Sequence, residues 1–113
     1  MLKEFIDCGG TLVAVLDGEI DQSVAAELKN KIDIEFELSR KRNLVLDLTR
    51  VSFMDSAGIG LIIVRWKKVS SMGGGVSLAA VGDKLKKILE LGGVTRLVRI
   101  YPNYRRAAEE FMR

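Results

Sequence analysis

The residues of this chain best placed to do chemistry stand in one run, Phe53-Met54-Asp55-Ser56-Ala57-Gly58-Ile59-Gly60. It sets one hydroxyl beside one carboxylate and offers no imidazole, because the 113 residues include no histidine. The only thiol is Cys8. A Ser-His-Asp triad, a Cys-His pair and a His/Cys zinc site are therefore excluded. A lone cysteine also excludes an internal disulfide and suits a reducing, cytoplasmic compartment. A second cluster, Asp17, Glu19 and Asp21, could hold a hard cation through carboxylate oxygens, yet no further acidic group stands at a spacing that would close the cage. The glycines do not form a nucleotide loop. No GxxxxGK[ST] occurs, and Ile63 stands where a GxGxxG beginning at Gly58 needs its third glycine. Met54 occupies the place of the first glycine of a GxSxG elbow.

Elements that would position these groups can be read from the hydrophobic periodicity. Leu2 to Ile6 and Thr11 to Leu16 are β-leaning runs joined by Gly9-Gly10, a hairpin pattern. Asp17-Gly18-Glu19 ends the second run, and Asp21 stands where a helix N-cap belongs. Val24, Leu28, Ile32 and Phe36 then recur every four residues as the apolar stripe of an amphipathic helix ending near Arg40. Leu44 to Leu48 reads as a strand covered on both faces. Ile59, Ile62, Ile63, Trp66 and Val69 mark a second helix stopped by Gly73-Gly74-Gly75. Val76 to Val81 is a strand, and Asp83 caps a third helix carrying Leu85, Ile88 and Leu89. Leu97 to Tyr101 is the last strand, and Asn103 caps a final helix through Ala107, Ala108 and Phe111. The order ββαβαβαβα predicts one α/β domain over residues 1–113, its sheet mixed but mostly parallel, with right-handed crossovers. The connections at one sheet edge, Gly18 to Gln22, Met54 to Gly60 and Val81 to Asp83, are expected to lie together.

Composition narrows the partners. With 48% hydrophobic and 29% charged residues, the chain can bury a core without staples. The longest uncharged stretch is broken by Asp55, so no segment spans a bilayer, and the N-terminus is too short and charged for a signal peptide. The net charge of +3 hides an acidic first third and a basic remainder. The positive residues, Arg65-Trp66-Lys67-Lys68, Lys84 to Lys87 and Arg105-Arg106, fall on candidate helix faces. They read as solvated amphipathic helices rather than as a nucleic-acid surface.

The run around Ser56 joins a strand end to a helix start, with Asp55 or Ser56 as the N-cap. A cap needs one polar side chain. It does not need two glycines in the first helical turns, where each costs about 1 kcal/mol relative to alanine. Two readings remain open from the residues alone: tight packing of helix on sheet, or a surface kept small so that another molecule can approach. The positive end of the helix would tolerate a phosphoryl group on Ser56.

Taken together, Leu16-Asp17-Gly18-Glu19-Ile20-Asp21, Leu46-Asp47-Leu48, the Asp55-Ser56-x-Gly58-x-Gly60 signature, Gly73-Gly74 and the later Leu91-Gly92-Gly93 resemble the STAS domain family over nearly the whole chain. Within it they are most similar to the bacterial anti-sigma factor antagonists, the sporulation (sigma F) branch first and the general-stress branch second. The resemblance implies a sheet wound as a βα superhelix and a non-enzymatic, partner-switching function without a cofactor of its own. In that scheme the unphosphorylated protein binds an ATP-dependent anti-sigma factor serine kinase, ATP being held by the kinase, and a sigma factor is released. The kinase phosphorylates Ser56 and a PP2C-type phosphatase resets it, with neither nucleic acid nor membrane as direct partner. The implied contact residues are Gly18, Glu19, Asp21, Met54, Asp55, Ser56, Ala57, Gly58 and Gly60. Ala57 departs from the serine or threonine common after the acceptor, which leaves Ser56 as the unambiguous site. A STAS module that holds a small anionic ligand at the same helix start is the alternative.

Overall fold

A computed structural model describes all 113 residues. The strands are β1 (Leu2–Cys8), β2 (Thr11–Ile20), β3 (Asn43–Met54), β4 (Val76–Ala79) and β5 (Arg99–Tyr101). The helices are α1 (Gln22–Ser39), α2 (Ser56–Ser71), α3 (Asp83–Leu91) and α4 (Tyr104–Glu110), with a 3-10 turn at Val94–Arg96. The strands lie in chain order in one sheet. Only β1 with β2 is antiparallel, and the three later pairings are parallel. That is the mixed sheet and the ββαβαβαβα order that the alternation of apolar patterns predicts.

Strict alternation along β2 and β3 builds two cores. Leu12, Ala14, Leu16, Leu44, Leu46 and Leu48 face one side, where α1, α2 and α3 lay down Leu28, Ile32, Leu61, Ile62, Leu85 and Leu89. Val13, Val15 and Val45 face the other side and are covered by α4 through Ala107. Each fully buried Leu, Ile or Val contributes about 1.5–3 kcal/mol, so the larger face dominates stability.

Several element boundaries differ from the sequence expectation: β1 runs on to Cys8 rather than Ile6, β3 to Met54 rather than Leu48, and β5 starts at Arg99 rather than Leu97. β2 does not end at Asp17 but continues to Ile20, with its register against β3 shifted between Val15 and Asp17 and again between Gly18 and Glu19. Gly18 sits there at φ +78°, so the Asp-Gly signal marks a bulge inside a strand rather than its end. β4 stops at Ala79 rather than Val81, where Ala80 turns into the left-handed region at φ 58°. Asp83 is the first residue of α3, not its cap: Gly82 holds the cap position and offers no side chain.

Candidate functional site

The two long central strands, β2 and β3, run side by side until Glu19 pairs with Phe53 and Ile20 with Met54. This register delivers the starts of α1 and α2 to the same edge. There Asp55 caps α2: its Oδ1 accepts the backbone N–H of Ala57 at 2.8 Å and of Gly58 at 3.3 Å. Its Oδ2 accepts the N–H of Gln22, the first residue of α1, at 3.1 Å. Asp21 caps α1, its Oδ1 accepting from the Ser23 N–H at 2.9 Å and the Ser23 hydroxyl at 2.6 Å. The Ser23 hydroxyl above all, with backbone N–H groups at the helix start, holds the Asp21 carboxyl below the usual aspartate range, against the opposing effect of burial.

The sequence leaves the cap of α2 open between Asp55 and Ser56, and the structure gives it to Asp55. Ser56 is thereby released. It is exposed at the first position of the helix, and its hydroxyl takes no part in the side-chain hydrogen bonds of the cap. The helix start is also less open to anions than its dipole suggests, because the Asp55 carboxylate already occupies the N–H groups of Ala57 and Gly58.

The two glycines do different work. A Cβ on Gly58 would lie 2.8 Å from the Ile20 carbonyl oxygen and 2.8 Å from Met54 Cγ. Gly58 is buried and lets α2 seat on the β2–β3 edge, which answers to the packing reading. A Cβ on Gly60 would meet nothing within 4 Å. Gly60 and Ala57 border a small depression with Ala25, Ala26 and Val64, between α1 and α2. No internal packing requires a glycine at position 60.

Other residues of the expected contact set fall on both sides of the surface. Gly18 and Glu19 are exposed and Asp21, Asp55 and Ala57 half-buried, all at the edge that carries Ser56. Met54 is only 1% exposed and points into the main core. The side chain of Met54 and the body of Gly58 therefore support this edge from beneath. Asp17, Glu19 and Asp21 do not converge: Asp17 Oδ1 lies 3.6 Å from the amino group of Met1, and Asp21 is turned onto Ser23.

The third connection differs from expectation. β4 pairs with β3 only as far as Asp47–Ala79, seven residues before Met54, or about 23 Å measured along the strand. The part of α3 that reaches α2 near the motif is its C-terminal end, where a Cβ on Gly92 would lie 2.6 Å from Ile59 Cδ1. Leu91, just before it, is 91% exposed. Its apolar side chain at a helix end, followed by two glycines, is the sequence signal for this part of the surface.

A single α/β domain with two interlocked helix starts at one sheet edge, and a spare hydroxyl upon them, is what these residues build. The chain belongs to the STAS domain family, whose profile matches residues 5–107. It is 29% identical over 94 residues to the anti-sigma F factor antagonist of Paenibacillus polymyxa, spanning 83% of this chain and 80% of the relative. The crystal structure of a proposed anti-sigma factor antagonist from Thermotoga maritima superposes with a TM-score of 0.89 at 26% identity, covering 97% of this chain and 94% of the other. SpoIIAA, an anti-sigma factor antagonist solved in its unphosphorylated form, shares the fold with a TM-score of 0.81 at 21% identity, covering 95% and 93% of the two chains. A phosphorylated form of that protein superposes with a TM-score of 0.72. No helix of this chain is long and apolar enough to cross a membrane.

Proposed function

We propose that this chain is an anti-sigma factor antagonist, a binding protein rather than an enzyme. In its unphosphorylated form it docks through the Ser56 edge onto an ATP-dependent anti-sigma factor kinase, and a sigma factor is released. Within that complex the Ser56 Oγ attacks the γ-phosphorus of ATP held by the kinase, ADP leaves, and the serine proton passes to a base of the kinase. A PP2C-type phosphatase hydrolyses the phosphoserine and restores the binding form. The observation that carries this reading is the division of labour between neighbours: Asp55 does all the capping, and Ser56 keeps an exposed hydroxyl without structural duty. The alignment with an anti-sigma F factor antagonist favours a sporulation-type sigma factor as the one released; a general-stress factor is the alternative outcome of the same test. An anion held on the start of α2 without phosphorylation is disfavoured, because Asp55 already fills that position.

The experiment is incubation with an anti-sigma kinase and ATP, followed by phosphopeptide mapping and co-purification. Ser56 is expected as the single phosphorylated residue. Ser56→Ala should bind the kinase without being modified, and Ser56→Asp should bind poorly. A main site at Ser52, Ser70 or Ser71, or equal binding by both variants, overturns the assignment.

A further inference from the structure

A hollow of about 390 Å³ lies away from Ser56, between the C-terminal halves of α1 and α2. That lies within the range of about 300–1,000 Å³ typical of small-molecule sites. Phe36, Leu44 and Val69 give it an apolar floor, and the exposed Met72 adds to the apolar lining. Arg65 forms part of its wall although the side chain is only 3% exposed. Its Nε lies 3.0 Å from Asp33 Oδ1, close enough for an ion pair but not aligned as a hydrogen bond. Both Nε and Nη1 are buried without a hydrogen-bond partner. Asp33 is shared, since Lys68 Nζ stands 3.8 Å from its other oxygen. Lys41 on the rim is paired with Asp7 at 2.9 Å, and the remaining cations of the lining, Arg40, Arg65 and Lys68, outnumber Asp33 and Glu37 by one.

A buried guanidinium with unmade hydrogen bonds is costly, and the site is built as though a further acceptor belonged there. We propose that this hollow binds a small amphipathic monocarboxylate, an aliphatic or aromatic acid. Its apolar body lies against Phe36, Leu44 and Val69, and its carboxylate meets the Arg65 guanidinium and the Lys68 ammonium. A planar carboxylate head matches the guanidinium fork, and the apolar floor of Phe36, Leu44 and Val69 favours an anion with a hydrocarbon body over free phosphate. The inference is independent of the reading of Ser56.

The test is a titration of the ¹⁵N-labelled full chain with octanoate and, separately, with octanol. Octanoate should shift amide resonances within residues 32–44 and 65–72 and bind at least about tenfold more tightly than octanol. Arg65→Gln should remove that preference, and Lys68→Gln should weaken octanoate about three- to tenfold. Lys68 is more than half exposed, so its variant keeps the test decisive should Arg65→Gln fail to fold. Shifts outside those segments, no saturable binding in the low millimolar range, equal affinity for acid and alcohol, or an unchanged affinity in Lys68→Gln would each overturn the proposal.

Discussion

The carboxylate of Asp55 accepts the backbone N–H of Gln22 at 3.1 Å while its other oxygen caps α2, so one side chain fastens two helix starts. The link spans 33 residues of sequence and is reinforced where the Asp55 N–H donates to the Ile20 carbonyl at 3.3 Å. Rigidity of the edge that carries Ser56 rests on this residue more than on the length of either helix.

Asp55→Ala should therefore destabilise at the upper end of the range for a lost N-cap, about 2 kcal/mol, because Gln22 loses its acceptor as well. Asp55→Asn should fall between, since its one amide oxygen can serve α2 but its NH2 group cannot accept from Gln22. Urea unfolding midpoints check the series. An Asp55→Asn variant as stable as the parent chain would show that the bridge to Gln22 contributes nothing.

The contrast between Gly58 and Gly60 gives a second pair of outcomes. Gly58→Ala must displace the Ile20 backbone or Met54 and should cost about 1–3 kcal/mol by overpacking. Gly60→Ala meets open space and should stabilise the helix by up to about 1 kcal/mol. If the surface around Gly60 meets the kinase, the same substitution should weaken that binding while raising the unfolding midpoint. Two unfolding curves and one binding isotherm distinguish these effects; a stabilised Gly60→Ala with unchanged affinity would take position 60 out of the interface.

Most of the architecture was legible because each element carries its own apolar pattern: a nearly continuous run in Leu44 to Leu48, a repeat near four from Leu28 to Phe36. The caps at Asp21 and Asn103 were legible for the same local reason. What the sequence hid was non-local. A bulge and a strand end look alike at Asp17-Gly18-Glu19, since both use a glycine with positive φ, and only pairing with β3 separates them. The burial of Met54 and Gly58 depends on Ile20 across the sheet. The seating of Gly92 against Ile59 depends on α3 returning toward α2, which no local pattern records. Arg65 read as one more base on a solvated helix face, because its partner Asp33 lies on another helix.

Acid should loosen the start of α1. Asp21 has its folded pKa depressed by the Ser23 hydroxyl and N–H. A depressed carboxyl contributes stability that is fully present above its unfolded value, about 3.9, and is lost as pH falls through the lower folded value. Asp7, lowered by Lys41 at 2.9 Å, acts in the same direction at the β1–β2 turn. Unfolding midpoints should thus fall as pH is reduced below about 4, and Asp21→Asn or Ser23→Ala should flatten that fall. A slope unchanged in both variants would assign the acid sensitivity to other carboxylates.

Phosphorylation of Ser56 brings about −1.5 to −2 charges and three acceptor oxygens to the first position of α2. An empty helix start would welcome them, by roughly 0.3–1 kcal/mol. This one is already filled: Asp55 holds the Ala57 and Gly58 N–H groups, which leaves the Ser56 N–H as the nearest free donor. Repulsion from the Asp55 carboxylate, screened over about 8–10 Å at physiological salt, offsets the dipole. The fold should consequently change in stability by less than about 1 kcal/mol, and the phosphoryl group should extend into solvent. At a docked surface the balance differs. A dianion closed in beside Asp55 and Asp21 must shed its water without a partner, a penalty of several kcal/mol, and each 1.4 kcal/mol weakens binding tenfold. Affinity for the kinase should fall at least about a hundredfold while the sheet stays as it is. Comparing amide chemical shifts of the two forms decides the matter: differences should stay within residues 18–23, 54–60 and 91–93. Changes reaching β5 or α4 on the far side of the sheet would show that the switch works by rearrangement and not by exclusion.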